Sequence, residues 1–108
     1  MRRTDLVLLR AALVGLLDFL KEVGYTEPPY FCRFLSTMRH NIEICMWGNY
    51  EGWERLLVML KRDWQMAYYG FMGISEYHRE VEKQGWDDEN SFQLAQLIAE
   101  VEVFFPNE

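Results

Sequence analysis

The stretch TDLVLLRAALVGLLDFLKEV, residues 4–23, decides the fold. Leu6, Leu9, Leu13, Leu16, Leu17 and Leu20 recur at three- and four-residue intervals, the spacing that places side chains on one face of an α-helix. Val7, Ala11 and Val14 widen that stripe, and only Arg10, Asp18, Lys21 and Glu22 mark a solvent edge. A helix so apolar around its circumference has to be covered on several sides, so the rest of the chain is expected to supply helices that pack around it. Thr4 is the expected N-cap, Asp5 suits the positive end of the helix dipole, and Gly24 is the expected left-handed stop.

The same segment imitates a secretory leader, with Arg2 and Arg3 ahead of the leucines. Arg10 and Asp18 interrupt the apolar run, and no small-residue cleavage site follows, so a buried helix is the better expectation. The longest uncharged piece, Ala11 to Leu17, falls far short of the ~20 residues of a membrane span. A cytoplasmic protein without membrane association is therefore expected.

Working outward, Tyr25 to Pro29 reads as a linker whose prolines suit the first turn of a second helix. Phe31, Phe34, Leu35, Met38, Ile42 and Cys45 form its stripe, with Arg33, Arg39, His40 and Glu43 off it. Gly48 ends that helix and Asn49 is expected to cap a third, along which Trp53, Leu56, Leu57, Leu60 and Trp64 keep helical spacing. Residues 65–75 break the pattern, and Gly70 and Gly73 are expected to supply backbone angles that other residues resist. Ser75 is the expected cap of a short helix from Glu76 to Gln84, stopped at Gly85. Asp87 or Asp88 then caps the last helix, with Phe92, Ala95, Ile98, Val101, Phe104 and Phe105 expected inward and Pro106 closing it. Strict alternation persists nowhere, so no strand is assigned. The fold class expected is all-α: residues 1–108 as a single helical domain, a compact bundle of about five helices.

At 108 residues there is room for one core, and a chain of this size buries about 65% of its unfolded surface without needing staples. The two cysteines, Cys32 and Cys45, lie thirteen residues apart on one expected helix. At ~1.5 Å per residue they stand ~20 Å apart, whereas a disulfide needs Cα atoms within ~7 Å. Two buried thiols in a reducing compartment follow.

Chemistry finds little purchase. There are two histidines and no Glu-x-x-His, although a di-iron bundle needs that motif twice. No Gly-x-Ser-x-Gly elbow is present. Gly70 to Gly73 lacks the Lys-Ser/Thr and the preceding strand of a phosphate loop. Paired carboxylates occur only as runs such as Asp87, Asp88 and Glu89, which suit helix capping. The expectation is a protein that is not an enzyme and uses no metal or cofactor.

Charge is the distinctive feature. Residues 1–75 hold nine Lys/Arg and eight Asp/Glu, while residues 76–108 hold two (Arg79, Lys83) and nine, so the formal charge of -6 is gathered in the last third. Such a segment repels nucleic acid and anionic lipid and attracts a basic protein. Trp47, Tyr50, Tyr68, Tyr69 and Trp86 lie in or beside turns, and aromatics next to acids suit an interface. The expected partner-binding residues are Tyr77, Glu80, Trp86, Asp87, Asp88 and Glu89.

One further pattern runs through most of the chain: Leu16 to Gly24, Gly48-Asn49, Leu56-Leu57, the loop Gly70-Phe71-Met72-Gly73-Ile74-Ser75, and the helix Asn90 to Phe105. It resembles a set of small bacterial helical proteins with a glycine-methionine-glycine loop followed by a helix-capping serine. This chain departs from them by carrying Phe71 where a glycine is common and Ile74 ahead of the serine. That set is in turn similar to the immunity proteins encoded beside polymorphic toxins. The resemblance implies an immunity protein that binds a cognate antibacterial toxin, such as a basic nuclease, and occludes its active site. The alternative is a non-catalytic helical adaptor or regulatory subunit whose partner is another protein.

Overall fold

The leucine stripe of residues 6–20 becomes the buried side of α1 (Arg3–Glu22) in the computed structural model of the chain, which describes residues 1–23, 29–83, 85 and 87–106. The expected stop at Gly24, the linker to Pro28, the helix end at Gln84 and the site residue Trp86 lie outside the described residues. The other helices are α2 (Cys32–Trp47), α3 (Trp53–Tyr69), α4 (Ile74–Lys83) and α5 (Asp88–Glu102), and no strand occurs among the described residues. Each helix packs on its neighbours in sequence, and α5 returns to pack on α1, so the five form a closed ring about one apolar core. The body measures 45 × 28 × 21 Å.

That ring corrects the expectation for α1. Its neighbours are α2 and α5, which cover Leu6, Leu9, Leu13, Leu16, Phe19 and Leu20 but leave Val7, Leu8 and Ala11 exposed. The helix also starts one residue before Thr4. The Asp5 carboxylate accepts the Arg2 backbone N–H at 2.7 Å, so the first turn is capped from Asp5 instead.

The turn between α2 and α3 departs from expectation as well. Asn49 and Tyr50 both take left-handed backbone (φ 58° and 64°), and Gly52 (φ 74°), not Asn49, is the N-cap of α3. Tyr50 N–H donates to the Cys45 carbonyl at 2.8 Å, and Cys45 Sγ donates to the Glu51 carbonyl at 3.9 Å. Asn49 is thereby committed to winding the chain off α2. Both cysteines are free and buried on α2, and burial pushes the Cys32 thiol up to about 11, which leaves it unreactive near neutrality.

Where a break was expected at residue 65, α3 runs on to Tyr69, because fully buried Ala67 continues the Leu60 and Trp64 face. The glycines that follow act by closeness more than by freedom. Gly70 is extended (φ -71°), and a Cβ there would meet the Met66 carbonyl oxygen at 2.3 Å. A Cβ on Gly73 would meet three carbonyl oxygens at 2.7–2.8 Å. The left-handed residue of this loop is Met72 (φ 53°). Ser75 lies inside the first turn of α4, not at its cap, since the Gly73 carbonyl already accepts the Tyr77 N–H.

The last helix is capped by Asp87, whose side chain accepts the Asn90 N–H at 2.7 Å. Ile98 and Val101 face inward as expected, but the first half of the stripe differs. Leu94, Ile98 and Val101 are buried with Leu97 against them, while Phe92 and Ala95 face solvent. Two apolar stripes compete on this helix, and the one with three larger aliphatic chains removes more area from water than the one with two alanines, so it faces the core. Phe104 and Phe105 are half-buried in the turn after the helix, packed on the core.

Candidate functional site

Three ion pairs are present among the described residues, and all lie in α1–α3: Arg10–Glu43, Arg39–Glu43 and Arg62–Asp63. Glu43 Oε1 accepts from Arg39 Nε at 2.9 Å and from Arg10 Nε at 3.1 Å, clasping α1 to α2. The Arg39 hydrogen bond, helped by Arg10, holds that carboxyl below its ordinary value. The carboxylates of the last third are placed otherwise. Glu76, Glu80, Asp87, Asp88, Glu89, Glu100 and Glu102 are all exposed, and none lies within ion-pair distance of a described cation.

The expected site residues separate accordingly. Glu80 shares the outer side of α4 with Glu76, Arg79 and Lys83, a face of mixed charge. Asp87, Asp88 and Glu89 stand together and exposed at the start of α5, where they also serve its positive pole. Tyr77 is turned toward the core, its ring set edge-on to Phe31 at 5.3 Å, so it is not brought beside the acids of α5 as an exposed anchor. Trp86 lies outside the described residues.

The apolar component of the site comes from the stripe that the core left over. Phe92, Ala95, Ala99 and Val103 follow one another at i, i+3, i+7 and i+11, so they share the solvent side of α5, with Phe92 and Val103 each 71% exposed. Asp88 precedes Phe92 by one turn, and Glu102 follows Ala95 by seven residues, so the stripe carries a carboxylate at each end. Glu89 and Glu100 add charge on the remaining exposed side. An apolar strip rimmed by acids results. Its components were in the sequence, but a helix with two apolar stripes does not say which one faces out.

Beyond Ala95, the strip borders two cavities that share Tyr68 and Glu102. One, about 270 Å³, lies between α4 and α5, with His78, Arg79 and Ser75 on its α4 side. The other, about 260 Å³, is walled by Trp64, Tyr68, Tyr69 and Phe105, with Lys61 at its edge. Trp64 stacks on Phe105 at 5.8 Å, and Tyr68 meets Tyr69 edge-on at 4.7 Å. Burial pushes the Tyr68 hydroxyl up, and the charge of Glu102 and the neighbouring Tyr69 add to that shift. Sequence reading noticed Tyr68 and Tyr69 beside a turn. The link to Glu102 is tertiary, across 34 residues, and no local signal carries it.

Asp63 was also missed. It is 7% exposed on the core side of α3, its Oδ2 has no hydrogen-bond partner among the described residues, and Arg62 reaches Oδ1 only at 4.0 Å. Desolvation pushes its pKa up, with Arg62 opposing.

Among the described residues no group of three or more His, Cys, Asp or Glu is placed to hold a metal ion, and no helix is long and apolar enough to cross a membrane. Fold and surface together define an all-helical bundle with an acid-rimmed apolar face. No family model, curated protein or solved structure matches the chain.

Proposed function

We propose that this chain is a binding protein whose α5 face docks on a basic protein, and that it acts as an immunity protein that neutralises a cognate antibacterial toxin by covering its active site. The observation that carries the reading is the outer side of α5: exposed Phe92 and Val103 with Asp88 one turn before Phe92 and Glu102 next to Val103, carboxylates without a described internal cation. Apolar anchors give a desolvated centre, and rim charges speed encounter and select a cationic partner. Opposite a nuclease, the carboxylates would stand where substrate phosphates go. Co-expression with the protein encoded beside this chain tests the proposal. Growth rescued by this chain supports immunity, and undiminished killing overturns it.

A second reading, a helical adaptor or regulatory subunit, draws on a different surface. Ile44 and Trp47 of α2 and Val58 of α3 are also exposed apolar side chains. A standing oligomer would cover them, and light scattering that returns about 13 kDa at all concentrations removes this reading's motive.

A further inference from the structure

The cavity between the C-terminal ends of α3 and α5 has the makeup of a receptor for an organic cation. Its walls are four aromatic rings, Trp64, Tyr68, Tyr69 and Phe105, and Glu102 supplies a carboxylate at its border. Ring faces carry negative potential and attract alkylammonium and guanidinium groups, most strongly where water is excluded. Backbone geometry adds to this field. Tyr68 and Tyr69 occupy the last turn of α3, and Glu102 is the last residue of α5. A helix C-terminus is a negative pole, and neither of these last turns carries a basic residue to offset it.

Lys61 is the one described cation that lines this place. It makes no cation–ring contact there and lies outside ion-pair distance of Glu102. The cation–ring contacts among the described residues are Arg3 with Tyr50 and Trp53, and Arg33 with Tyr30, all elsewhere. The neighbouring cavity makes the contrast: it takes Arg79 and the first turn of α4, a positive helix end, and has one aromatic wall in place of four.

We infer that the α3–α5 cavity binds the head group of an alkylated ammonium or a guanidinium ion, held by the Trp64, Tyr68, Tyr69 and Phe105 rings and the Glu102 carboxylate. At about 260 Å³ the cavity has room for one such group. Two sources share this chemistry, a lysine or arginine side chain of a partner and a free quaternary amine. The inference does not depend on the toxin reading.

The test is an NMR titration of the full-length chain with choline, its neutral isostere 3,3-dimethylbutan-1-ol, and the acetylated methylamides of lysine and arginine. Choline is expected to shift the Trp64 indole N–H with a Kd on the order of millimolar, and the neutral isostere to bind at least about tenfold more weakly. Glu102→Gln and Tyr69→Ala, both at exposed side chains that leave the fold intact, are each expected to weaken choline about fivefold. Lys61→Gln is expected to tighten it about twofold by removing a like charge. Lysine or arginine amide binding within a few-fold of choline assigns the site to a partner side chain, and choline binding alone assigns it to a free amine. Equal binding of the neutral isostere, or no Trp64 shift by any cation up to ~50 mM, overturns the inference.

Discussion

Two carboxylates of this molecule meet opposite fates. Glu43 of α2 receives two guanidinium N–H groups and fastens α1 to α2, so its charge is consumed inside the fold. Glu102 of α5 lies between two cavities and meets no described cation. The same division separates the apolar residues of α5, where Leu94 is 1% exposed and Phe92 is 71% exposed two residues earlier. What is paired or buried holds the bundle together, and what is left unpaired and exposed is free to meet something else.

That division is most easily broken on α5 itself. Leu94→Ala is expected to cost about 3 kcal/mol in urea unfolding, since it opens a cavity under a fully buried chain. Phe92→Ala, the larger truncation, is expected to change stability by less than about 0.5 kcal/mol while weakening the partner at least about tenfold. Comparable unfolding costs for the two would remove the distinction between the core and docking stripes.

Next in size is the loop that joins α3 to α4. Gly70→Ala forces a Cβ against the Met66 carbonyl oxygen and is expected to cost about 2 kcal/mol. Met72→Gly relieves a left-handed backbone and is expected to stabilise slightly in the same assay.

The pH dependence of the buried and paired acids sharpens the comparison further. Glu43 has a lowered folded pKa, so its contribution is complete above its ordinary 4.5 and is lost as pH falls through the lowered value. Glu43→Gln should therefore lower the urea midpoint at pH 7 and match the wild type in strong acid. Asp63 runs the other way. Its raised folded pKa means that ionisation opposes folding above that value, and the penalty fades as pH falls through it toward the ordinary 3.8. Asp63→Asn is expected to gain about 1 kcal/mol at pH 7 and nothing below 3.8, which paired urea titrations at the two pH values resolve.

Asp88→Lys with Glu89→Lys is expected to lose about 1 kcal/mol of helix-dipole stabilisation, measured against a marked fall in partner affinity.

Much of this was readable in advance because burial leaves a periodic mark. The stripes of α1, α2 and α3 predicted helices whose observed bounds lie within a few residues of expectation, and Asp87 capped α5 as one of two candidates. The failures have physical causes. Helical spacing on α5 is satisfied by Leu94, Ile98 and Val101 and also by Phe92, Ala95 and Ala99, so only tertiary packing decides between them. Gly70 and Gly73 signalled a turn, but the reason for glycine there is crowding by carbonyls of the preceding helix, which no local pattern reveals. The regional charge pointed to the last third, yet it favoured Tyr77, which the core claims, and gave no hint that α3 would bring Tyr68 and Tyr69 to Glu102.

The central claim is that the outer face of α5 binds a basic partner without contributing to the fold. Its most direct measurement is calorimetric affinity for the partner proposed above, comparing wild type with the double variant Phe92→Ala, Glu102→Lys, alongside the melting temperature of each. The account predicts an unchanged melting temperature within about 2 °C and an affinity lower by about a hundredfold. An affinity equal to wild type at an equal melting temperature would contradict it.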